Sequence, residues 1–361
     1  MVSLHAARSL QSKHQMAYRF KLDEPFDKGF RRIAREQLDR TIAELTDLRV
    51  APASVHESRK ALKRLRALAR LAAPAIGDRA FQRRNRALRR IGRLLSGSRD
   101  AAVIAETLAE LVAPTQSGAA VLDAVRDQMN NPDAGRAVTL EADVAEAVRL
   151  LLLKEAKQFA HMPFKGESFA AVEGGLEHSY REARKALRLA YAAPSDDGFH
   201  ELRKTVQWHW RQMNLLSRAW PEEFATRVAA ARALSQILGD DHDLAMLRQA
   251  VHASEMLGAE HRAVIDEICV AKQHALRRAA EYRARLLFAE PASVFVKRIG
   301  HYWLLGPDVK AWPLENVDRA AEPVASAHVA STEDLNAVTS PESAVGLAAK
   351  TPGRSQSQRS A

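Results

Sequence analysis

Between residues 26 and 287 apolar side chains return every three to four positions, the spacing that lays one stripe along one side of a helix. Followed along the chain, that period predicts helices over 26–48, 54–71, 78–95, 100–111, 118–130, 140–159 and 169–191, then over 198–219, 221–238, 243–257 and 259–287. Between them, stretches such as Ala51-Pro52-Ala53-Ser54, Asn131-Pro132-Asp133 and Pro194-Ser195-Asp196-Asp197 carry the residues that stop one helix and cap the next. Strand-like alternation is scarce, and glycine and proline number only 16 and 14, so the predicted fold class is all-α. Short connections imply antiparallel neighbours, hence bundles. From residue 306 onward Ala, Ser, Thr, Pro and Glu dominate without an apolar period, which predicts a disordered tail over 306–361.

The helical pattern contains a duplication. Ser54-Val55-His56-Glu57-Ser58-Arg59-Lys60 aligns with Gly198-Phe199-His200-Glu201-Leu202-Arg203-Lys204, which superposes the two His-x-x-Arg-Lys runs. Downstream, Leu95-Ser96-Gly97-Ser98-Arg99-Asp100 falls over Leu238-Gly239-Asp240-Asp241-His242-Asp243. Each copy therefore ends its second helix in a small-residue turn that finishes on an aspartate, with Asp100 and Asp243 read as caps of the helix that follows. With two copies and a long period, a duplicated bundle fits better than a solenoid array. Ser54 and Glu57 have the spacing of a capping box, which would put His56 in the first helical turn.

Charge sharpens the picture. The 361 residues hold 54 Lys plus Arg against 44 Asp plus Glu, a net +10. Residues 54–100 alone hold 14 cations against 3 carboxylates, so the remainder of the chain sums to about −1 and the basic character is local. On the first repeated helix Arg59, Lys63, Arg66 and Arg70 share a stripe, with His56 and Lys60 at its edge, while Leu62, Leu65, Leu68 and Ala69 form the core side. The next helix sets Arg79, Arg83, Arg86, Arg90 and Arg93 against Phe81, Leu88, Ile91 and Leu95. The second half supplies His200, Arg203, Lys204, Arg211 and Arg218, and the helix before it adds Arg181, Arg184, Lys185 and Arg188. So many like charges at helical spacing call for an anion, and an external one is favoured over internal carboxylates. Arginine's planar fork grips two phosphate oxygens at once, so phosphate is the anion the composition favours.

Other chemistries find little support. A lone cysteine, Cys269, permits no intrachain disulfide and points to a reducing compartment. No window is apolar enough to span a membrane and the first fifteen residues lack a signal-peptide core, so a cytoplasmic protein without membrane contact is expected. No Walker A run, dinucleotide loop or nucleophile elbow occurs, and no cofactor or catalytic residue is expected. His56 and His200, with Asp240, Asp241, His242 and Asp243, offer metal-ligand types, but the surrounding cations repel a dication and no metal is expected. The two histidines are read either as donors to phosphate oxygens at a helix start or as polar ties to a neighbouring element. His242-Asp243 is one pair where a metal-dependent phosphohydrolase needs several. Trp208, Trp210, Met213 and Trp220 are read as helix packing.

His56 through Arg66, Ser98-Arg99-Asp100, His200 through Lys204 and Leu238 through Leu244, together with Leu286 through Pro291 leading to Tyr302-Trp303, resemble the two halves of a CHAD domain, the conserved histidine α-helical domain. The resemblance spans residues 22–305, with halves at 22–160 and 166–305 after an N-terminal segment 1–21. It implies a pair of four-helix bundles related by pseudo-twofold symmetry, whose basic helices line a central groove that binds inorganic polyphosphate. Some members sit on polyphosphate granules. The family's basic positions fall on His56, Arg59, Lys60, Lys63 and Arg66, and on His200, Arg203 and Lys204. The second half departs at Gln207, Trp208 and Trp210, where the first has Lys63, Arg64 and Arg66. No strands of a fused triphosphatase domain are evident, so a stand-alone binder is expected. The expected function is non-enzymatic polyphosphate binding, with Arg70, Arg83, Arg86, Arg90, Arg93, Arg181, Arg184, Lys185 and Arg211 completing the site. The alternatives are a helical nucleic-acid binder, which the same cations permit, and an accessory or enzymatic domain acting on phosphorylated substrates.

Overall fold

Phe26, Phe30, Ile33, Ala34 and Leu38 lie on one side of the first helix, and all five are buried. The same logic builds the rest of a computed structural model that describes residues 18–46, 50–95, 99–112, 115–129 and 140–311. Twelve helices occur among the described residues: α1 (Phe26–Glu44), α2 (Pro52–Leu71), α3 (Ala73–Ile76), α4 (Asp78–Leu94), α5 (Arg99–Ala109), α6 (Gln116–Met129), α7 (Ala142–Ala160), α8 (Ala170–Ala192), α9 (Asp196–Leu216), α10 (Pro221–Ala253), α11 (Ala259–Leu287) and α12 (Ala292–Ala311). The only β pairing among these residues is one bridge between Val50 and Leu140. None of the helices is long and apolar enough to cross a membrane.

Helices α1, α2, α4 and α7 pack around one another, while α8, α9, α10 and α11 pack in sequence with α12 against α8. Leu62, Leu65, Leu68 and Ala69 of α2 and Phe81, Leu88 and Ile91 of α4 all enter the main core, as their spacing requires. The groups meet where α2, the first repeated helix, lies directly against α9, the second, and against α8, and where Phe26 of α1 packs on Trp303 of α12. The α8 crossing is so close that a Cβ on Gly175 would stand 2.0 Å from the Leu71 carbonyl oxygen, which only glycine permits. A smaller second core holds Leu108 of α5, Leu111, and Leu122 and Val125 of α6 against Leu244, Leu247 and Val251 of α10 and Ile265 and Cys269 of α11. Helices from early in the chain thus complete a core late in it.

Three local expectations are corrected. The capping box does not form: α2 begins at Pro52, whose missing N–H suits the first helical position, and its N-cap Ala51 supplies no side-chain bond. Glu57 instead reaches Lys60, at 2.7 Å, and His56 lies a turn inside the helix. In the second copy Ser195 does cap, accepting from the Gly198 N–H at 3.1 Å. The predicted break at 239–242 is absent, because α10 runs unbroken through Leu238, Asp241 and Leu244, all buried. Burial on the inner side outweighs the weak helix propensity of Gly and Asp there, and Asp243 is a mid-helix residue, not a cap. In the first copy the matching residues 96–98, and the side chains of Arg99 and Asp100, lie outside the described residues, as do residues 1–17, 131–133 and 312–361. Residues 306–311, read as the start of the tail, are the last turns of α12.

Candidate functional site

Where α2 meets α9, with α4, α5 and α10 at the margins, a groove of about 530 Å³ opens. Its lining comprises His56, Arg59, Lys60, Lys63, Arg66 and Arg70 from α2, Asn85 and Arg89 from α4, Val103 from α5, His200, Arg203, Lys204, Gln207, Trp208 and Arg211 from α9, and His242, Asp243 and Met246 from α10. Nine Lys and Arg side chains face one carboxylate, Asp243. The two His-x-x-Arg-Lys runs, 144 positions apart in the chain, stand on opposite walls of one cavity.

Several of the groove's cations lie against neutral groups. Arg66 Nε donates to Asn85 Oδ1 at 2.9 Å, Arg59 donates to the Leu95 carbonyl at 3.2 Å, and Arg211 donates to the Gln207 carbonyl at 2.7 Å. Arg70 lies 3.6 Å over the Trp208 ring and Arg211 lies 4.1 Å over Trp210. Both halves repeat one ion pair, Lys60 with Glu57 at 2.7 Å and Lys204 with Glu201 at 2.5 Å, and neither glutamate lines the groove. Burial pushes Arg66 down to about 10, with Arg89 and Arg70 adding to the effect. Arg211, only 6% exposed, is pushed down to about 9, again chiefly by burial and then by Arg64, Arg66 and Arg232 against the opposing pull of Tyr18. For both guanidinium groups loss of water is the first cause, and neighbouring cations add to it.

Near His200 the groove holds a second histidine. The rings of His200 and His242 lie 4.3 Å apart, and burial is the main reason both are lowered, His242 to about 4. His200 is further disfavoured as a cation by Lys204 and Arg203, and His242 by His200 and Arg203. Gly239 makes room beside them, since a Cβ there would meet Arg203 Nη2 at 3.3 Å. Among the described residues no group of three or more His, Cys, Asp or Glu side chains comes together to hold a metal.

Ten of the residues expected at the site meet in this groove: His56, Arg59, Lys60, Lys63, Arg66, Arg70, His200, Arg203, Lys204 and Arg211. Arg83, Arg86, Arg90 and Arg93 do not; they are exposed on α4 away from it. With Phe81 at 0° and about 100° per residue, that stripe falls at about 120–200°, opposite the core and toward solvent, whereas Asn85 and Arg89 flank the core at about 40–80°. On α2, Arg59, Lys63, Arg66 and Arg70 flank Leu62 at about 40–100°, with Lys60 farther round, so a groove between two helices is lined mainly by the flanks of their apolar stripes. Arg181, Arg184 and Lys185 line a different cleft, formed by α8, α11 and α12. One first-half arginine is neutralised internally: Arg84 holds the buried Glu155 of α7 through both carboxylate oxygens at 2.9 Å. Trp208, read as packing, lines the groove, and Trp220 is 45% exposed against the Tyr302 ring, while Met213 is buried as expected. Asn85, Arg89 and His242 carried no signal strong enough to be singled out for the groove.

An all-helical fold with duplicated basic helices facing one another defines the class, and the family is given by comparison with known proteins. The CHAD domain family matches residues 32–252, more than half of the chain, and this protein belongs to that family. Among solved structures it is similar to the crystal structure of the CHAD domain from the plant Ricinus communis, with a TM-score of 0.52 and 18% identity, covering 76% of this chain and 94% of that one. At that identity the likeness speaks for the fold alone. Comparison with curated proteins finds no match.

Proposed function

We propose that this protein binds inorganic polyphosphate in the α2–α9 groove, without catalysing a reaction on it. The observation that carries the reading is the pair of desolvated guanidinium groups, Arg66 and Arg211, within a lining of nine cations and one carboxylate. Membership of the CHAD family, which the resemblance links to polyphosphate, agrees with it. A linear polyanion suits a groove with cations on both walls, because each phosphate brings charge and acceptor oxygens to several side chains at once. The same packing supports a duplicated pair of helical bundles: α1, α2, α4 and α7 form one group and α8 through α11 the other, with the matched helices α2 and α9 at their junction. Nucleic acid fits less well, since the aromatic face nearest the cations, Trp208, is already covered by Arg70 and offers no platform for a base.

The test is retention of the full chain on immobilised polyphosphate, with DNA and RNA as competitors at equal phosphate concentration. Retention that falls steeply with salt, resists nucleic acid and is lost on joint charge reversal of Arg59, Lys63 and Arg66 is expected. Unchanged retention of that variant, or equal displacement by nucleic acid, refutes the reading. Release of orthophosphate from polyphosphate by the wild type would refute its non-enzymatic part.

A further inference from the structure

A second cleft, larger than the groove, lies on the other side of α8. It encloses about 1010 Å³ between α8, α11 and the start of α12. Five cations line it, against Glu177 and Glu182. Glu177 is taken by Arg181, and Arg285 is taken by Glu281. Arg184, Lys185 and Arg188 make no salt bridge or hydrogen bond among the described residues, although all three point into one cavity from consecutive turns of one helix. Glu182 is the one lining carboxylate that makes no salt bridge among the described residues, so three like charges on one helix outnumber the negative charge beside them, and an anion is what their arrangement lacks.

The mouth of the cleft adds to this. α12 is twenty residues long, carries no acidic residue in its first turn, and places Ala292 and Ser293 in the lining. Its amino end thus brings the N–H groups of a helix start into the lining that the three cations share. The nearest carboxylate in sequence, Glu290, is committed to Arg298 at 2.6 Å. The aromatic groups of the cleft are not available for a ring-bearing ligand: Phe288 is 3% exposed and packs on Tyr180 and His209, and the Tyr191 hydroxyl donates to the Arg277 carbonyl at 2.7 Å.

We propose that this cleft is a second anion site, separate from the α2–α9 groove, which takes a short linear oligophosphate through Arg184, Lys185, Arg188 and the first turn of α12. It rests on its own geometry and stands whether or not the groove binds polyphosphate.

Calorimetric titration of the full chain with tripolyphosphate at low salt separates the two. The wild type is expected to bind two equivalents. Lys185→Glu with Arg188→Glu, both exposed positions, is expected to bind one, with at least a tenfold loss at the missing site. Lys63→Glu with Arg66→Glu is expected to lose the other equivalent and keep this one. Thermal melts check that each variant is folded, and Lys185→Gln with Arg188→Gln replaces the reversal if it is not. One wild-type equivalent that survives in the α8 variant overturns the second site and leaves the groove reading in place. One equivalent lost only in the α8 variant does the opposite. Non-saturable uptake, or an acidic peptide that binds as well as tripolyphosphate, overturns the proposal.

Discussion

Arg211 supports a prediction in which stability and binding move in opposite directions. Burial lowers its guanidinium from the ordinary arginine range to about 9. At ~1.4 kcal/mol per unit, that is roughly 4–5 kcal/mol by which the charged form is disfavoured inside the fold. Below pH 9 both folded and unfolded chains carry this charge, and only the folded chain carries it desolvated, so the whole cost is present at neutral pH. Against it stand the bond to the Gln207 carbonyl and the contact with Trp210, about 1 kcal/mol each. Arg211→Met keeps the length and most of the volume and removes the charge. It should stabilise the protein by about 1–3 kcal/mol, a rise of roughly 2–8 °C in melting temperature for a domain of this size. The same change should weaken polyphosphate binding about tenfold, since one charge-assisted contact is lost. Thermal melts with and without polyphosphate measure both, and the ligand-induced rise should shrink in the variant. A variant that melts lower than the wild type and binds equally well would refute the claim that the groove stores an unmet demand for negative charge.

Gly239→Ala should leave stability within about 1 kcal/mol, because the gain in helix propensity offsets a displaced Arg203, while binding weakens several-fold; unchanged affinity would show that the Arg203 position does not matter. Glu155→Ala should cost about 3–5 kcal/mol by stranding buried Arg84, with affinity for polyphosphate retained in the folded fraction, as urea unfolding and column retention would report. His242 has its pKa lowered from 6.5 to about 4, so it affects nothing above pH 6.5. As pH falls from 6.5 toward 4 the unfolded chain takes up a proton that the folded chain refuses, and stability drops by about 1–2 kcal/mol after discount for partial exposure. His242→Asn should flatten that part of the profile in urea titrations between pH 7 and 4.5, and a superimposable slope would count against the assignment.

Most of the helices are legible in the sequence because apolar spacing is a local property, and the buried sides of α2 and α4 are the ones their periods indicate. The α2 cations are legible for the same reason, and the alignment of His56 with His200 by itself names the two walls of the groove. What is illegible depends on the neighbours of a helix. Arg83 through Arg93 form the more regular stripe, yet regularity opposite a core means solvent, and the groove takes Arg89 from the flank. Arg181, Arg184 and Lys185 resemble the groove residues in composition but sit on a side of α8 that faces α11 and α12. The run 239–243 has the composition of a turn, and only the burial of Asp241, bonded to Arg277 at 2.6 Å, explains why the helix continues through it.

Continuity of α10 has a mechanical consequence. Its amino-terminal part belongs to the main core and its carboxy-terminal part to the small core that α5 and α6 complete, so it acts as a rod that spans two cores and is pinned at its far end by segments from much earlier in the chain. Separating the chain into two fragments between α7 and α8 would strip Leu108, Leu122 and Val125 of their partners and leave Leu244, Leu247 and Val251 open to water. The two copies of the motif are interlocked and are expected to melt together in a single transition, so neither half can serve as a ready-made fragment for expression.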